Sequence, residues 1–156
     1  QSVDGKAVSL KTVLDKKRTI LVFYRGGWCP YCNLHLAALG EAEKELLDLG
    51  YQIVAISPDA PKNLKVTEEK DKVNYLLLSD SNGELAKAMG IAFQAPDKYK
   101  PIITKGSDGV NSNFLPVPSV FIVNLDGEIE FEHVTPDYKH RISNDLLVAA
   151  AKSLKK

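Results

Sequence analysis

Two runs of apolar residues early in the chain predict buried strands. Residues 19–24 and 51–56 are largely apolar and do not alternate with polar positions. A strand covered on both faces has this pattern, whereas a half-exposed strand alternates. We therefore expect both runs to lie inside a sheet.

The segment between these runs has the spacing of an amphipathic helix. Pro30 suits the first turn of a helix, and Gly50 suits the position just after its end. Charged residues lie opposite a face made by Leu34, Ala38, Leu39, Ala42, Leu46 and Leu49. The pattern predicts one long helix with this apolar face turned towards the core.

The rest of the chain alternates between shorter strands and helices. We expect a short strand or approach segment at 7–10, a weak helix at 60–70, a strand at 75–78, a capped helix at 84–89, a hairpin of 119–124 with 128–133, and a final helix at 142–154. Residues 92–117 are rich in Pro, Gly, Ser and Asn and predict a long irregular loop. The order predicts a single three-layer α/β domain over residues 1–156, with helices flanking a central mixed sheet.

Composition narrows the possible partners. The 156 residues carry 20 basic and 20 acidic side chains, so the formal net charge is zero. Nucleic acids and anionic membrane surfaces favour a basic patch, and neither is expected as the main partner. No apolar stretch approaches the roughly 20 residues that span a bilayer. The chain begins at Gln1, so we expect an upstream segment to have been removed, and the compartment, cytoplasmic or periplasmic, stays open.

Both cysteines, Cys29 and Cys32, lie where the first strand gives way to the long helix. A helix N-terminus offers free N–H groups and a favourable dipole, which stabilise a thiolate at Cys29. Cys32, one turn further along, is close enough to form a disulfide with it. The spacing predicts a redox-active dithiol in which Cys29 attacks a disulfide and Cys32 resolves the product. Pro30 and Tyr31 are expected to tune the reduction potential, and Trp28 to shield one side of the pair.

Two other interpretations of the pair stay open. The cysteines could be inert and structural, or they could form a metal-binding or metallochaperone module with His35. A zinc site needs about four ligands, so two cysteines exclude a four-cysteine site. Asn33 stands where a haem-attachment motif requires histidine. We expect no metal, and no cofactor other than the Cys29–Cys32 disulfide.

The remaining polar residues point less clearly to a site. His133, Tyr138 and Arg141 follow or end the hairpin. They could line the site or supply acid–base help, but surface or hairpin packing is the simpler explanation. His35 and His140 have no visible partner and are expected to be structural. Helix surfaces or caps are expected for three acidic residues, Glu43, Asp59 and Asp80.

A set of motifs spread over nearly the whole chain points to a family. They are Asp4-Gly5-Lys6, Phe23-Tyr24-Arg25-Gly26-Gly27-Trp28, Ile56-Ser57-Pro58-Asp59, Leu78-Ser79-Asp80 and Phe131-Glu132-His133-Val134. Together they resemble the peroxiredoxin-like branch of the alkyl hydroperoxide reductase/thiol-specific antioxidant (AhpC/TSA) family. The Cys-Pro-Tyr-Cys core is similar to the glutaredoxin motif. The resemblance implies a thioredoxin-like fold.

The resemblance also implies a thiol peroxidase mechanism, with departures. It places Cys32 at the peroxidatic position, Arg25 at the position of the family's proline and Cys29 at that of its threonine. The family's arginine falls at Pro118. Without these residues a peroxide loses hydrogen-bond donors and positive charge, so the departures favour disulfide exchange. Arg25 could lie close to the pair as a partial substitute, or be a plain surface arginine.

Val117-Pro118 is the second informative position. Proline at a strand entry is permitted and can be a simple loop end. By its resemblance to the thioredoxin fold, Pro118 is expected to be a cis-proline that faces the cysteines. It would then present the backbone of Val117 to an extended peptide or thiol.

The sequence therefore predicts a thiol–disulfide oxidoreductase with an antioxidant role. Its expected partners are a disulfide-bearing protein or small thiol, with a thioredoxin-type reductant. A thiol-dependent peroxidase that uses Cys32 on peroxide is the alternative among enzymes. A metal-binding module is the alternative of another class, and the oligomeric state stays open.

Overall fold

The computed structural model describes residues 1–155 and contains seven strands. They are β1 (Arg18–Phe23), β2 (Tyr51–Ser57), β3 (Leu76–Ser79), β4 (Ala92–Gln94), β5 (Phe114–Pro116), β6 (Ser119–Val123) and β7 (Ile129–Val134). Five of them form one mixed sheet in the order β3-β2-β1-β6-β7. β1 pairs parallel with β2 and antiparallel with β6, so it occupies the centre of the sheet.

Six α-helices accompany the strands. They are α1 (Leu10–Leu14), α2 (Pro30–Asp48), α3 (Pro61–Lys70), α4 (Glu84–Ala88), α5 (Lys100–Gly106) and α6 (Asn144–Leu154), with a 3₁₀ turn at Asp97–Tyr99 before α5. Within the described part of the chain, no helix combines the length and apolar character that crossing a membrane requires.

The two faces of β1 explain the layers. Successive side chains of a strand point to opposite faces. Ile20 and Val22 pack with residues of α2 and α6, such as Leu39 and Leu147. Leu21 and Phe23 pack on the other face, in a cluster that contains Val13 of α1 and Ala86 of α4. The three-layer α/β prediction is confirmed, because both faces of the sheet are covered by helices.

The apolar face of α2 differs in detail from the prediction. Leu39, Ala42 and Leu46 are buried as expected, whereas Leu34 is 71% exposed and Leu36 is buried instead. The helix ends at Asp48, and Gly50 adopts a φ of 90° directly after it. Gly50 therefore has the terminating role that the sequence indicated.

The hairpin of β6 and β7 is also present as predicted. Asn124 organises its turn, because the side-chain oxygen accepts hydrogen bonds from the backbone N–H groups of Asp126 and Glu128. Gly127 has a φ of 82°, which favours glycine.

The expected strand at 7–10 is wrong. Ser9 instead caps α1, with its side chain accepting a hydrogen bond from the Thr12 backbone N–H. Serine favours such caps because its oxygen satisfies a free N–H of the first turn.

The expected irregular loop at 92–117 is also ordered. It contains α5 and a small antiparallel sheet of β4 and β5. The buried Asn111 holds the segment together: its side chain donates to the Phe114 carbonyl and accepts from the Asn113 and Phe114 N–H groups. Polar residues that suggested a loop thus satisfy backbone groups in the interior.

Candidate active site

The two cysteines lie together at the start of α2, as the sequence predicted. Cys29 is the N-cap residue, in an extended conformation, and Pro30 occupies the first helical turn. Both thiols are free, and both residues are buried, at 1% exposure for Cys29 and 0% for Cys32. A reactant can reach them only if covering side chains move.

Two glycines set the path from β1 to Cys29. A Cβ atom on Gly26 would lie 2.3 Å from the Trp28 indole nitrogen, and one on Gly27 would lie 2.1 Å from the Thr67 hydroxyl oxygen. Side chains at either position would clash. Close packing therefore requires glycine at both positions of the turn before Trp28.

Asp59 anchors this turn from the interior. Its carboxylate accepts a 2.7 Å hydrogen bond from the Gly27 backbone N–H, and the residue is 4% exposed. Burial raises the pKa of Asp59 to about 6, although the Gly27 bond opposes the shift. The surface or cap position expected for Asp59 is wrong. Asp80, in contrast, caps α4 as expected by accepting from the Leu85 and Ala86 N–H groups.

Arg25 is buried beside Cys29 and is not a surface residue. It is 4% exposed, and its Nη1 lies 3.8 Å from the Cys29 sulfur. Its guanidinium carbon lies 4.9, 4.6 and 4.3 Å from the ring centroids of Trp28, Tyr99 and Tyr138. These distances are typical of cation–π contacts, so three aromatic rings surround the cation.

The aromatic residues near Arg25 also pack together in two pairs. Trp28 packs on Tyr99 with ring centroids 5.8 Å apart, and Tyr31 meets Tyr138 edge-on at 5.7 Å. Trp28 and Tyr31 thus join the aromatic group around Arg25.

Arg141 contacts the second sulfur. Its Nη2 donates to Cys32 Sγ at 3.3 Å, and its Nη1 donates to the Tyr138 carbonyl. The surface packing expected for Arg141 and Tyr138 is therefore wrong. The hydrogen bond of the His133 side chain goes elsewhere, because its ring nitrogen lies 3.1 Å from the Thr135 hydroxyl.

The surroundings of the two thiols shift their pKa values in opposite directions. The Cys32 thiol, followed by the Cys32 backbone amide, Arg25 and Arg141, lowers the pKa of Cys29 to about 6 against the opposing effect of burial. Burial and the neighbouring Cys29 raise the pKa of Cys32 above its ordinary value. Cys29 therefore carries the thiolate at neutral pH, and Cys32 stays protonated.

At neutral pH the His35 imidazole is uncharged and too weakly basic to take a proton from the cysteines. It is buried in α2, as expected for a structural histidine, and burial with the charge of Arg141 lowers its pKa to about 4. No group of three or more His, Cys, Asp or Glu side chains in residues 1–155 is arranged to hold a metal ion. The interpretation as a Cys29, Cys32 and His35 metal module has no geometric support.

Pro118 does not have the predicted conformation. No peptide bond in residues 1–155 is cis, so the Val117–Pro118 bond is trans. The Val117 N–H donates to the Ile91 carbonyl at 2.7 Å, and the Val117 carbonyl accepts from the Ser119 hydroxyl at 2.7 Å. Both backbone groups that Val117 would present to a peptide already have a partner within the chain.

Sequence patterns indicated some of these residues and not others. The loss of the family's arginine at Pro118 left the site short of positive charge, which could have directed attention to Arg141. No pattern pointed to Tyr99, since the 3₁₀ turn that carries it lies in a segment without periodicity.

Comparison with known proteins finds a family and individual proteins to which this chain is similar. The AhpC/TSA family matches residues 1–132. Peroxiredoxin Bcp of Escherichia coli is 28% identical over 145 residues, covering 93% of this chain and 84% of that protein. The crystal structure of peroxidoxin BcpB from Mycobacterium tuberculosis shares the fold with a TM-score of 0.79 at 18% identity, over 99% of this chain and 91% of that one.

A second solved structure agrees on the fold. The bacterioferritin comigratory protein of Xanthomonas campestris, described for its alkyl peroxide reduction activity, superposes with a TM-score of 0.73 at 17% identity. The superposition covers 93% of this chain and 84% of that one.

The arrangement predicts a titration of Cys29 that depends on Arg25. Thiolate absorbance should rise with an apparent pKa near 6 in the reduced protein and disappear in Cys29→Ser. Arg25→Gln should raise that pKa by about one unit, since a nearby positive charge favours the thiolate. Lys44→Gln, an exposed change on α2, is the matched control and should leave it unchanged. A transition that stays at the same pH in Arg25→Gln would contradict the assignment.

Asp59 predicts a second pH dependence, in stability. A carboxyl group with a raised pKa in the folded state stabilises most below its unfolded pKa, and that stability is lost as the pH rises through about 6. Asp59→Asn keeps an oxygen for the Gly27 N–H and does not ionise. Its stability relative to the native chain should therefore increase by about 2 kcal/mol between pH 4 and pH 7. Urea unfolding at both pH values measures this, and a pH-independent difference would refute the buried charge.

Proposed function

The chain belongs to the AhpC/TSA family, and on that premise we propose that it is a thiol-dependent peroxidase that cycles Cys29 and Cys32 between dithiol and disulfide. The expected enzyme class, a thiol-dependent oxidoreductase, is confirmed by the family and by relatives that are named peroxiredoxins. The observation that carries the proposal is a pair of free cysteines at the start of α2, each contacted by its own guanidinium.

The first step is the attack of the Cys29 thiolate on one oxygen of a hydroperoxide. The S–O bond forms as the O–O bond breaks, so Cys29 becomes a sulfenic acid and the leaving oxygen takes a proton to give an alcohol or water. Arg25 and Arg141 lie against the two sulfurs, where their charge stabilises the negative oxygen that develops.

The second step closes the disulfide. Cys32 loses its proton and attacks the sulfenic sulfur of Cys29, forming the S–S bond and releasing water. The two thiols have then supplied the two electrons that reduce the peroxide. A thioredoxin-type partner or a small thiol returns the pair to the dithiol.

The assignment of Cys29 as the attacking residue departs from the family pattern, which places Cys32 at the peroxidatic position. It rests on the position of Cys29 as the N-cap of α2, with the Arg25 guanidinium beside its sulfur, and on the lowered pKa of that thiol. The departures from the family pattern remove less positive charge from the site than the sequence suggested, because Arg25 and Arg141 contact the two sulfurs from other positions.

Trapping of the sulfenic acid tests both the function and the assignment. Cys32→Ser leaves a hydroxyl beside Cys29 and removes the resolving thiol, so peroxide should yield a dimedone adduct on Cys29. In Cys29→Ser the adduct on Cys32 should form at least roughly tenfold more slowly, because its thiol is not ionised. Mass spectrometry of the adducts, with peroxide consumption by the native protein and a thiol donor, supplies the measurement.

The contrary outcomes are distinct. Faster trapping at Cys32 in Cys29→Ser than at Cys29 in Cys32→Ser would return the peroxidatic role to Cys32. Absence of peroxide consumption and of any adduct would remove the peroxidase proposal.

Disulfide exchange is a second candidate function, favoured by the position of Cys29 as the N-cap of α2. A thiolate there, with a protonated thiol one turn later, is suited to attack a substrate disulfide and to resolve the mixed disulfide. The bonded backbone of Val117 removes one expected substrate contact, so we rank exchange second.

Insulin-disulfide reduction separates the two functions. If exchange is the main activity, the reduced protein turns insulin over with dithiothreitol and Cys29→Ser loses the activity. If the peroxidase proposal is right, peroxide oxidises the pair much faster than insulin does. Full insulin reduction by Cys29→Ser would exclude an attacking role for that cysteine.

A further inference from the structure

A cavity of about 270 Å³ lies between α3 and α5, next to the turn that leads to Cys29. Trp28, Val66 and Ile102 give it apolar walls, and Asp59, Lys70 and Lys105 supply its charges. Its volume suits a small molecule, just below the range usual for drug-sized ligands. The peroxidase steps proposed above do not use this cavity.

Asp59 is the unusual group in the cavity. One carboxylate oxygen accepts from the Gly27 N–H at 2.7 Å, and no hydrogen bond to the other is formed among residues 1–155. No cation in that part of the chain forms an ion pair with the carboxylate. A buried charge without a partner is costly, so it marks a place where a ligand with a positive charge and N–H donors gains most.

The two lysines of the cavity favour a negatively charged group in the ligand. Lys70 and Lys105 are exposed residues of α3 and α5 that line the same cavity. Asp59, in contrast, is buried among the lining residues. The charges therefore suit a zwitterion whose ammonium group faces Asp59 and whose carboxylate lies near the lysines.

The cavity also adjoins the reactive pair along the chain. Trp28 forms part of its wall and is followed directly by Cys29. The wall of the cavity and the attacking cysteine are thus consecutive residues of one turn.

We propose that this cavity binds a small amino-acid-type thiol, which bears an ammonium group, a carboxylate and a thiol, and that this thiol reduces the Cys29–Cys32 disulfide. The inference rests on the proposed redox cycle and specifies its reductant. The first thiol, as its thiolate, attacks the disulfide, forming a mixed disulfide with Cys29 and releasing the Cys32 thiolate. A second thiol attacks the mixed disulfide, so two thiols become one small disulfide, Cys29 leaves as its thiolate and the Cys32 thiolate takes up a proton.

The experiment starts from protein oxidised with diamide, so that it does not depend on peroxide reduction. Rate constants for reduction are measured by Trp28 fluorescence, or by thiol alkylation, with three probes. Cysteine carries both charges, 3-mercaptopropionate lacks the ammonium group, and cysteamine lacks the carboxylate. For each probe, the ratio of native to variant rate cancels the probe's own reactivity.

Asp59→Asn should slow cysteine and cysteamine by roughly tenfold and leave 3-mercaptopropionate nearly unchanged, because only an ammonium group interacts with the lost charge. Lys105→Gln, an exposed change that spares the fold, should slow cysteine and 3-mercaptopropionate but not cysteamine. Lys65→Gln, on the same helix as Lys70 but outside the cavity, is the matched control and should change none of the three.

Equal native-to-variant ratios for all three probes would overturn the inference. If Asp59→Asn fails to fold, the Lys105→Gln comparison decides alone. Failure of peroxide to oxidise the pair, with the probe pattern intact, would refute the peroxidase proposal and leave this site standing. Normal peroxide oxidation with no discrimination among the probes would refute only the site.

Discussion

A guanidinium keeps its charge inside a protein, so the burial of Arg25 requires compensation from its neighbours. No Asp or Glu forms an ion pair with it in residues 1–155. Three aromatic faces and the Cys29 sulfur surround it instead. The thiolate is thus the anion that the buried cation needs, and the same contact that stabilises Arg25 in the interior prepares Cys29 to attack.

This pairing gives the departures from the family pattern a common explanation. By the resemblance, Cys29 stands at the position of a neutral threonine and Arg25 at that of a proline, and the structure places the Arg25 cation beside the Cys29 sulfur. Pro118 stands where the resemblance places the family's arginine. Arg141 instead approaches Cys32 from the segment after β7. Charge is retained at the site while the residues that supply it have moved, which is compatible with peroxide chemistry on a dithiol.

The buried carboxylate of Asp59, near the same turn, also lowers the stability of the fold. It holds Gly27, and through it the approach to Trp28 and Cys29, but its carboxylate is buried without a cation. An amide would satisfy the same N–H at lower cost at neutral pH. Keeping a charge there sacrifices stability, as functional sites often do.

The sequence by itself determined the elements whose patterns are local. Continuous apolar runs gave β1 and β2, Pro30 and Gly50 bounded α2 closely, and the spacing of Cys29 and Cys32 placed a dithiol at a helix N-terminus. Only the tertiary structure decided what surrounds that dithiol. Arg25, Tyr99 and the pair Tyr138 and Arg141 come from three separate segments, and Pro118 is trans with its neighbours bonded. Contacts between residues so far apart along the chain leave no periodicity to read, because they are selected by packing and charge compensation in three dimensions.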